Sequence, residues 1–270
     1  MKWFTAWRRR PWAGYAVVLA ALAIISVVYA GASPSADRAQ ASDTKVSAQD
    51  VAKGKALFDQ TCSSCHGANA QGTRTAPSLI GVGAASVDFQ VSTGRMPAMN
   101  PGAQIPSKKR VLNDEQTRQL AAYISSLGGG PPVPAADQVD PAHGDSALGG
   151  KLFRANCAQC HNFAGSGGAL TGGKYAPPLD KATPTQIYEA MITGPQAMPV
   201  FNDTTVTPEQ KRAIIAYVTQ TRSEVNPGGS GLGRIGPVAE GLAGWLVGIG
   251  LMVIAAMWLT ARKPKKKHND

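Results

Sequence analysis

All four cysteines of the chain fall in two copies of one pentapeptide, Cys62-Ser-Ser-Cys65-His66 and Cys157-Ala-Gln-Cys160-His161. A C-x-x-C-H run is the attachment signature of c-type haem. On one helical turn, two thiols at this spacing add across the vinyl groups of the porphyrin, and the next imidazole lies beneath the ring to bind iron. No cysteine is left for a structural disulfide. Paired C-x-x-C units also hold zinc, but zinc ribbons place the pairs about 15–20 residues apart, whereas Cys65 and Cys157 are 92 positions apart. A redox dithiol has no need of a following histidine. The pattern predicts two covalent haems c on Cys62, Cys65, Cys157 and Cys160, with His66 and His161 as proximal iron ligands.

An electron carrier fills both axial positions of its iron, and a methionine sulfur opposite histidine raises the reduction potential. Of seven methionines, Met1 starts the chain, Met252 and Met257 lie in an apolar C-terminal run, and Met191 sits at helical core spacing. Met96, Met99 and Met198 remain. Met96 and Met198 each precede a proline, which favours extended geometry at the methionine and lets the sulfur project from a loop. Met99 precedes Asn100 and is the rival to Met96. The expected distal ligands are Met96 and Met198.

The chain also repeats itself. Gly54-Lys55-Ala56-Leu57-Phe58 precedes the first haem motif and Gly150-Lys151-Leu152-Phe153 the second. Ala76-Pro77-Ser78-Leu79 follows one, and Ala176-Pro177-Pro178-Leu179 the other. Each unit closes on an amphipathic segment, with Leu120, Tyr123, Ile124 and Leu127 on one helical face, and Ile214, Tyr217 and Val218 on another. Asn113 and Thr207 are expected N-caps, with Pro208 at the first helical position. Helix, haem motif, loop rich in proline and glycine, terminal helix: this order resembles the class I cytochrome c fold over about 46–128 and 146–223. The resemblance implies that the first and last helices of each unit cross. It also implies that the carbonyls of Pro77 and Pro177 orient the proximal histidines, with Pro178 competing in the second unit, and that the Met-Pro methionines are the distal ligands. Units of about 80 residues are small for a self-sufficient core, so the haem is expected to supply apolar mass.

The expected class is therefore mainly α, with two tandem class I cytochrome c domains, a C-terminal transmembrane helix and an N-terminal apolar segment. Residues 1–11 form a basic terminus. Residues 12–30 are an anchor or a signal peptide, with Val28-Tyr29-Ala30 as the cleavage site in the second case. Segment 129–145 reads as a linker, 224–240 as a Gly-rich linker, 241–260 as a membrane span and 261–270 as a basic tail. About 20 uncharged residues match a hydrocarbon core about 30 Å thick, and Trp245 and Trp258 stand near the ends of that span, as interfacial aromatics do.

The formal charge of +10 belongs to the termini. Lys2, Arg8, Arg9 and Arg10 give +4, and Arg262, Lys263, Lys265, Lys266 and Lys267 against Asp270 give another +4, which leaves +2 elsewhere. That distribution argues against a nucleic-acid partner. By the positive-inside rule both ends lie in the cytoplasm, and the haem domains lie on the outer face of the plasma membrane. Lys108, Lys109 and Arg110 form one further basic run, read as a solvated loop in preference to a docking patch. His143 reads as a solvated loop histidine, and His268 belongs to the tail.

No nucleotide loop, zincin motif or nucleophile–base pair accompanies the haem sites. The whole arrangement resembles the dihaem cytochrome c subunits of actinobacterial cytochrome bcc complexes. This implies a translocase subunit without substrate chemistry of its own, with cytochrome b and Rieske iron–sulfur subunits as partners. Single electrons would come from the Rieske protein, cross both haems and leave to a haem–copper oxidase in a supercomplex. Three rivals are a dihaem subunit of a cbb-type oxidase, a cytochrome subunit of a periplasmic dehydrogenase and a dihaem peroxidase. The C-terminal span argues against the first, the haem count against the second, and methionine loops in both units against the third.

Overall fold

A computed structural model describes residues 12–32, 46–225, 231–234 and 236–261. The basic runs at 1–11 and 262–270, and His268 with them, lie outside the described residues. The chain divides into two units, Met1–Lys45 and Val46–Asp270. In the first, the N-terminal apolar segment forms one helix, α1 (Ala13–Ala32), unbroken through Val28-Tyr29-Ala30.

The second unit contains the repeat. Helices α2 (Ala48–Thr61), α3 (Ser63–His66), α4 (Gly83–Ser92) and α5 (Asp114–Ser126) make its first half. After a short α6 (Ala136–Val139), the helices α7 (Ser146–Asn156), α8 (Ala158–His161), α9 (Pro184–Thr193) and α10 (Pro208–Ser223) repeat the order. The second half adds a small antiparallel hairpin, β1 (Gly168–Ala169) with β2 (Tyr175–Ala176), in which Gly168 pairs with Ala176.

The helix starts follow their capping residues. Asn113 with Gln116, Thr183 with Gln186, and Thr207 with Gln210 form reciprocal capping boxes, and Pro184 and Pro208 occupy the first turns of α9 and α10. Each cap satisfies amide donors that the helix leaves open and is worth about 1 kcal/mol.

First and last helices pack together in each half, α2 on α5 and α7 on α10. Glycine permits the approach. A Cβ on Gly54 would stand 2.0 Å from the Gln119 carbonyl oxygen, and one on Gly149 would stand 1.9 Å from that of Ala213. One turn further on, Phe58 meets Tyr123 with ring centroids 5.4 Å apart, and Phe153 meets Tyr217 at 5.3 Å. Phe58, Leu120 and Ile124 are the buried centre of one core, and Phe153, Ile214 and Ile215 that of the other. Burial of each such side chain stabilises by roughly 1.5–3 kcal/mol.

The segment 129–145, expected as a linker, is packed at both ends. The Ala85 amide donates to the Pro131 carbonyl at 3.1 Å, and Gly130 lies so close to Gly83 that a Cβ would be 2.4 Å from its nitrogen. Val139 belongs to the second core. His143 sits in a 3₁₀ turn, Pro141–His143, and faces Asp140 at 3.4 Å while remaining exposed. Beyond α10, helix α11 (Pro237–Thr260) contains the one stretch among the described residues long and apolar enough to cross a membrane, Val238–Thr260. At its head the buried Gly236, with φ of +114°, fits against Phe163, just past the second haem motif.

Candidate functional site

Each C-x-x-C-H run is built as a corner. Cys62 ends α2, its amide donating to the Phe58 carbonyl at 2.8 Å, and Cys157 ends α7 through the same bond to Phe153 at 2.8 Å. The chain then turns into a single helical turn that ends on the histidine, where His66 and His161 donate their amides to the Cys62 and Cys157 carbonyls at 3.0 and 2.9 Å. It leaves through a left-handed residue, Gly67 with φ of +81° in one half and Asn162 with φ of +60° in the other. With ψ of 174°, Asn162 holds a backbone conformation that glycine adopts far more readily than other residues. Its side-chain amide here also donates to the Gly167 carbonyl.

Both histidines are buried and held by the carbonyl of a proline. The Nδ1 of His66 lies 2.8 Å from Pro77 O, and that of His161 lies 3.0 Å from Pro177 O. A carbonyl can only accept, so Nδ1 carries the proton and Nε2 keeps its lone pair for a metal. Burial pushes the His161 pKa down, partly opposed by the Pro177 bond, which keeps the ring in the neutral form that binds metal. Burial pushes the Cys157 thiol up to about 11, reinforced by the nearby Cys160, and pushes the Cys62 thiol up as well. A neutral thiol or thioether sits in such a place without the cost of burying a charge.

In the second half, Cys157, Cys160, His161, Pro177 and Met198 line one cavity of about 570 Å³ together with Met191 and Leu179. That volume is in the range for a bound organic cofactor, and the predominantly apolar walls suit a porphyrin. In the first half, Met96 is half-buried and packs with Cys62 against the core, whereas Met99 is 81 % exposed.

The methionine loops are pinned. A Cβ on Gly94 would lie 1.9 Å from the Lys108 carbonyl oxygen. The Met96 amide donates to Gln90 O at 2.9 Å, and Lys108 Nζ donates to Pro97 O. In the second half Gly194 adopts φ of +58°, and the Met198 amide donates to Pro195 O at 3.1 Å. The basic run is therefore not a free solvated loop. Lys108 fastens the Met96 loop, and Arg110 bonds Asp114 and Thr117, leaving Lys109 as the exposed member.

Some features of the site are absent from the sequence reading. Phe89, Thr93, Arg95, Gln104 and Ser107, all from the first half, form part of the wall of the second cavity. Gln104 exchanges two hydrogen bonds with the Tyr175 backbone, at 2.7 and 2.8 Å. Tyr175 lies in the hairpin, which lengthens the stretch between histidine and proline in the second half. The extra length between His161 and Pro177 was visible in the sequence, but nothing in it specified a contact to the first half.

Two C-x-x-C-H corners, each backed by a packed pair of first and last helices, followed by an apolar span: these features define a tandem c-type cytochrome with a membrane-spanning candidate helix. Comparison with known families agrees. Residues 51–128 match the family described as Cytochrome c, and residues 144–218 match Cytochrome C oxidase, cbb3-type, subunit III. Proteins described as cytochrome bc1 complex cytochrome c subunit are similar over far more of the chain. That of Mycobacterium tuberculosis (strain ATCC 25618 / H37Rv) is 45% identical over 260 residues, 94% of this chain and 92% of its own length. That of Mycobacterium leprae is 50% identical over 215 residues, 77% and 74% respectively. That of Corynebacterium diphtheriae is 46% identical over 229 residues, 78% and 81%. The chain belongs to the family of cytochrome c subunits of the cytochrome bc1 complex. It is the electron carrier of a membrane-associated oxidoreductase, with two cytochrome c domains, each implying covalent haem c.

Proposed function

We propose that this chain relays single electrons from a Rieske iron–sulfur subunit, across both of its domains, directly to a haem–copper oxidase held in a supercomplex with it and with cytochrome b. In this reading the domains span 46–128 and 146–223 and stand on the outer face of the plasma membrane, tethered by the span at 241–260. Tethering raises the effective concentration of the carrier at its partners without any new contact.

Cys62 and Cys65, and Cys157 and Cys160, would hold the two haems through thioether links. Bound haem supplies a reversible one-electron couple at its iron. His66 and His161 would offer Nε2 to each iron, and Pro77 and Pro177 would fix each imidazole so that little reorganises when charge changes. Met96 and Met198 would each offer a thioether sulfur to the iron, keeping water and peroxide from it and favouring a high potential. The exposure of Met99 favours Met96. The observation that carries the ligand assignment is the pair of buried histidines with Nδ1 committed to a proline carbonyl, one of them in a cavity that Met198 also lines.

The test is mild detergent extraction through a C-terminal affinity tag, with haem staining and identification of the attached subunits. Two haems c on this chain, together with cytochrome b, the Rieske subunit and a haem–copper oxidase, and quinol-to-oxygen electron flow without added soluble cytochrome c, are expected. Arrival with a cbb-type catalytic subunit, or peroxidase activity of the isolated chain, overturns the relay.

A further inference from the structure

The second haem cavity is not closed by its own domain alone. The loop Gly94-Arg95-Met96-Pro97 contributes its methionine to the first core, while its arginine faces the other way and lines the second cavity. Arg95 is half-buried, with Cζ 5.2 Å from the centre of the Phe89 ring. Among the described residues its guanidinium makes no ion pair: the five that occur are Lys55–Asp59, Arg110–Asp114, Arg118–Asp50, His143–Asp140 and Lys211–Asp203. The other charged residues at this cavity are Lys174, Lys181 and Asp180, the last two adjacent, exposed and of opposite sign.

We propose that Arg95, supplied by the first domain, is a positioning charge for the second haem, raising that haem's reduction potential and drawing the shared electron toward it. The proposal rests on the haem ligation described above. The oxidised centre carries one more positive charge than the reduced one, so a fixed cation in the cavity wall disfavours oxidation. In a half-buried wall the effective dielectric is nearer 20 than 80, and no carboxylate pairs with Arg95 to cancel its charge. Arginine keeps that charge at every physiological pH, so the bias is constant. Phe89 covers one face of the guanidinium, and the pinned Met96 loop fixes its backbone.

The experiment is a redox titration of the full-length holoprotein in detergent, with the two couples assigned by Met96→His and Met198→His. Arg95→Gln is expected to shift the electron distribution between the haems by about tenfold away from the second, or ~59 mV for one electron. Arg95→Lys keeps the charge and is expected to keep most of the potential. Gln104→Glu places a negative charge in the same wall, giving up the bond that the Gln104 amide donates to the Tyr175 carbonyl, and is expected to lower the same couple. Retention of the methionine–iron charge-transfer band shows that ligation is intact. An unshifted second couple in Arg95→Gln, or an equal fall in the Gln and Lys variants, overturns the proposal. If Arg95→Gln fails to assemble, an unshifted couple in Gln104→Glu does so. Absence of a His/Met signature in the unaltered protein would overturn the ligand assignment instead.

Discussion

Glu189 is fully buried on α9, and neither carboxylate oxygen receives a hydrogen bond from an N–H or hydroxyl donor. Its neighbour is the Asp88 carboxyl on α4, another acceptor, so the two can bond only by sharing a proton. Burial first, then the charge of Asp88 and the bond to it, push the Glu189 pKa up to about 10. Burial pushes Asp88 up as well, opposed by its bond to Glu189 and by the nearby Arg110 charge. An acid with a raised pKa holds its proton more tightly folded than unfolded. Its contribution is complete below the ordinary value near 4.5 and is lost as pH rises toward about 10, by at most ~1.4 kcal/mol per pH unit. Glu189→Gln keeps the shape and removes the ionisation, so its melting temperature should fall less steeply between about pH 5 and 9. Equal slopes for variant and parent would count against a shared proton. Sequence reading could not find this pair, because each acid looks ordinary until the partner from the other domain stands beside it. The C-x-x-C-H runs were legible because their chemistry is local: five consecutive residues specify the corner.

At the scale of the elements, the close packing of first and last helices depends on Gly54 and Gly149. Neither is needed for a left-handed turn; what each supplies is the absence of a Cβ where another backbone passes. Gly54→Ala or Gly149→Ala would drive a methyl into a carbonyl 2.0 or 1.9 Å away. Separation of the helices by such overpacking costs about 1–3 kcal/mol, or roughly 4–8 °C per kcal/mol for a domain of this size. Thermal melts of the holoprotein check this, and an unchanged midpoint would show that the helices separate freely. The repeat and the caps at Asn113 and Thr207 were readable from spacing and composition. The register was less so. The shared Gly-Lys pair points to Gly150, but the contact that matches Gly54 is made by Gly149, which the phenylalanines Phe58 and Phe153 align with it. The hairpin escaped notice because two-residue strands carry no alternation to read.

In the molecule as a whole, the Gly-Pro segment at 128–134 reads in sequence as a loop or linker, and the two domains meet across a defined surface. Gln104 bonds Tyr175, Gln186 donates to Ser92 Oγ at 3.1 Å, and Gln196 donates to the Ile105 carbonyl at 3.0 Å. Nothing in the sequence marks these glutamines out, so the surface was invisible until the fold brought it together. Among the described residues no ion pair joins one domain to the other. The docking of the domains thus rests on neutral hydrogen bonds and packing, which salt does not screen strongly, whereas contacts between exposed charges on separate proteins are screened within about 10 Å at 0.1 M salt. Electron exchange between the two haems should accordingly change less than about twofold between roughly 0.05 and 0.5 M salt, as followed by rapid photoreduction of the detergent-solubilised chain. Exchange with an added redox protein docked through charge should fall steeply over the same range. A comparable fall in the internal rate would mean that the domains part and re-dock during each transfer, and the glutamine contacts would then describe only one of the arrangements the carrier uses.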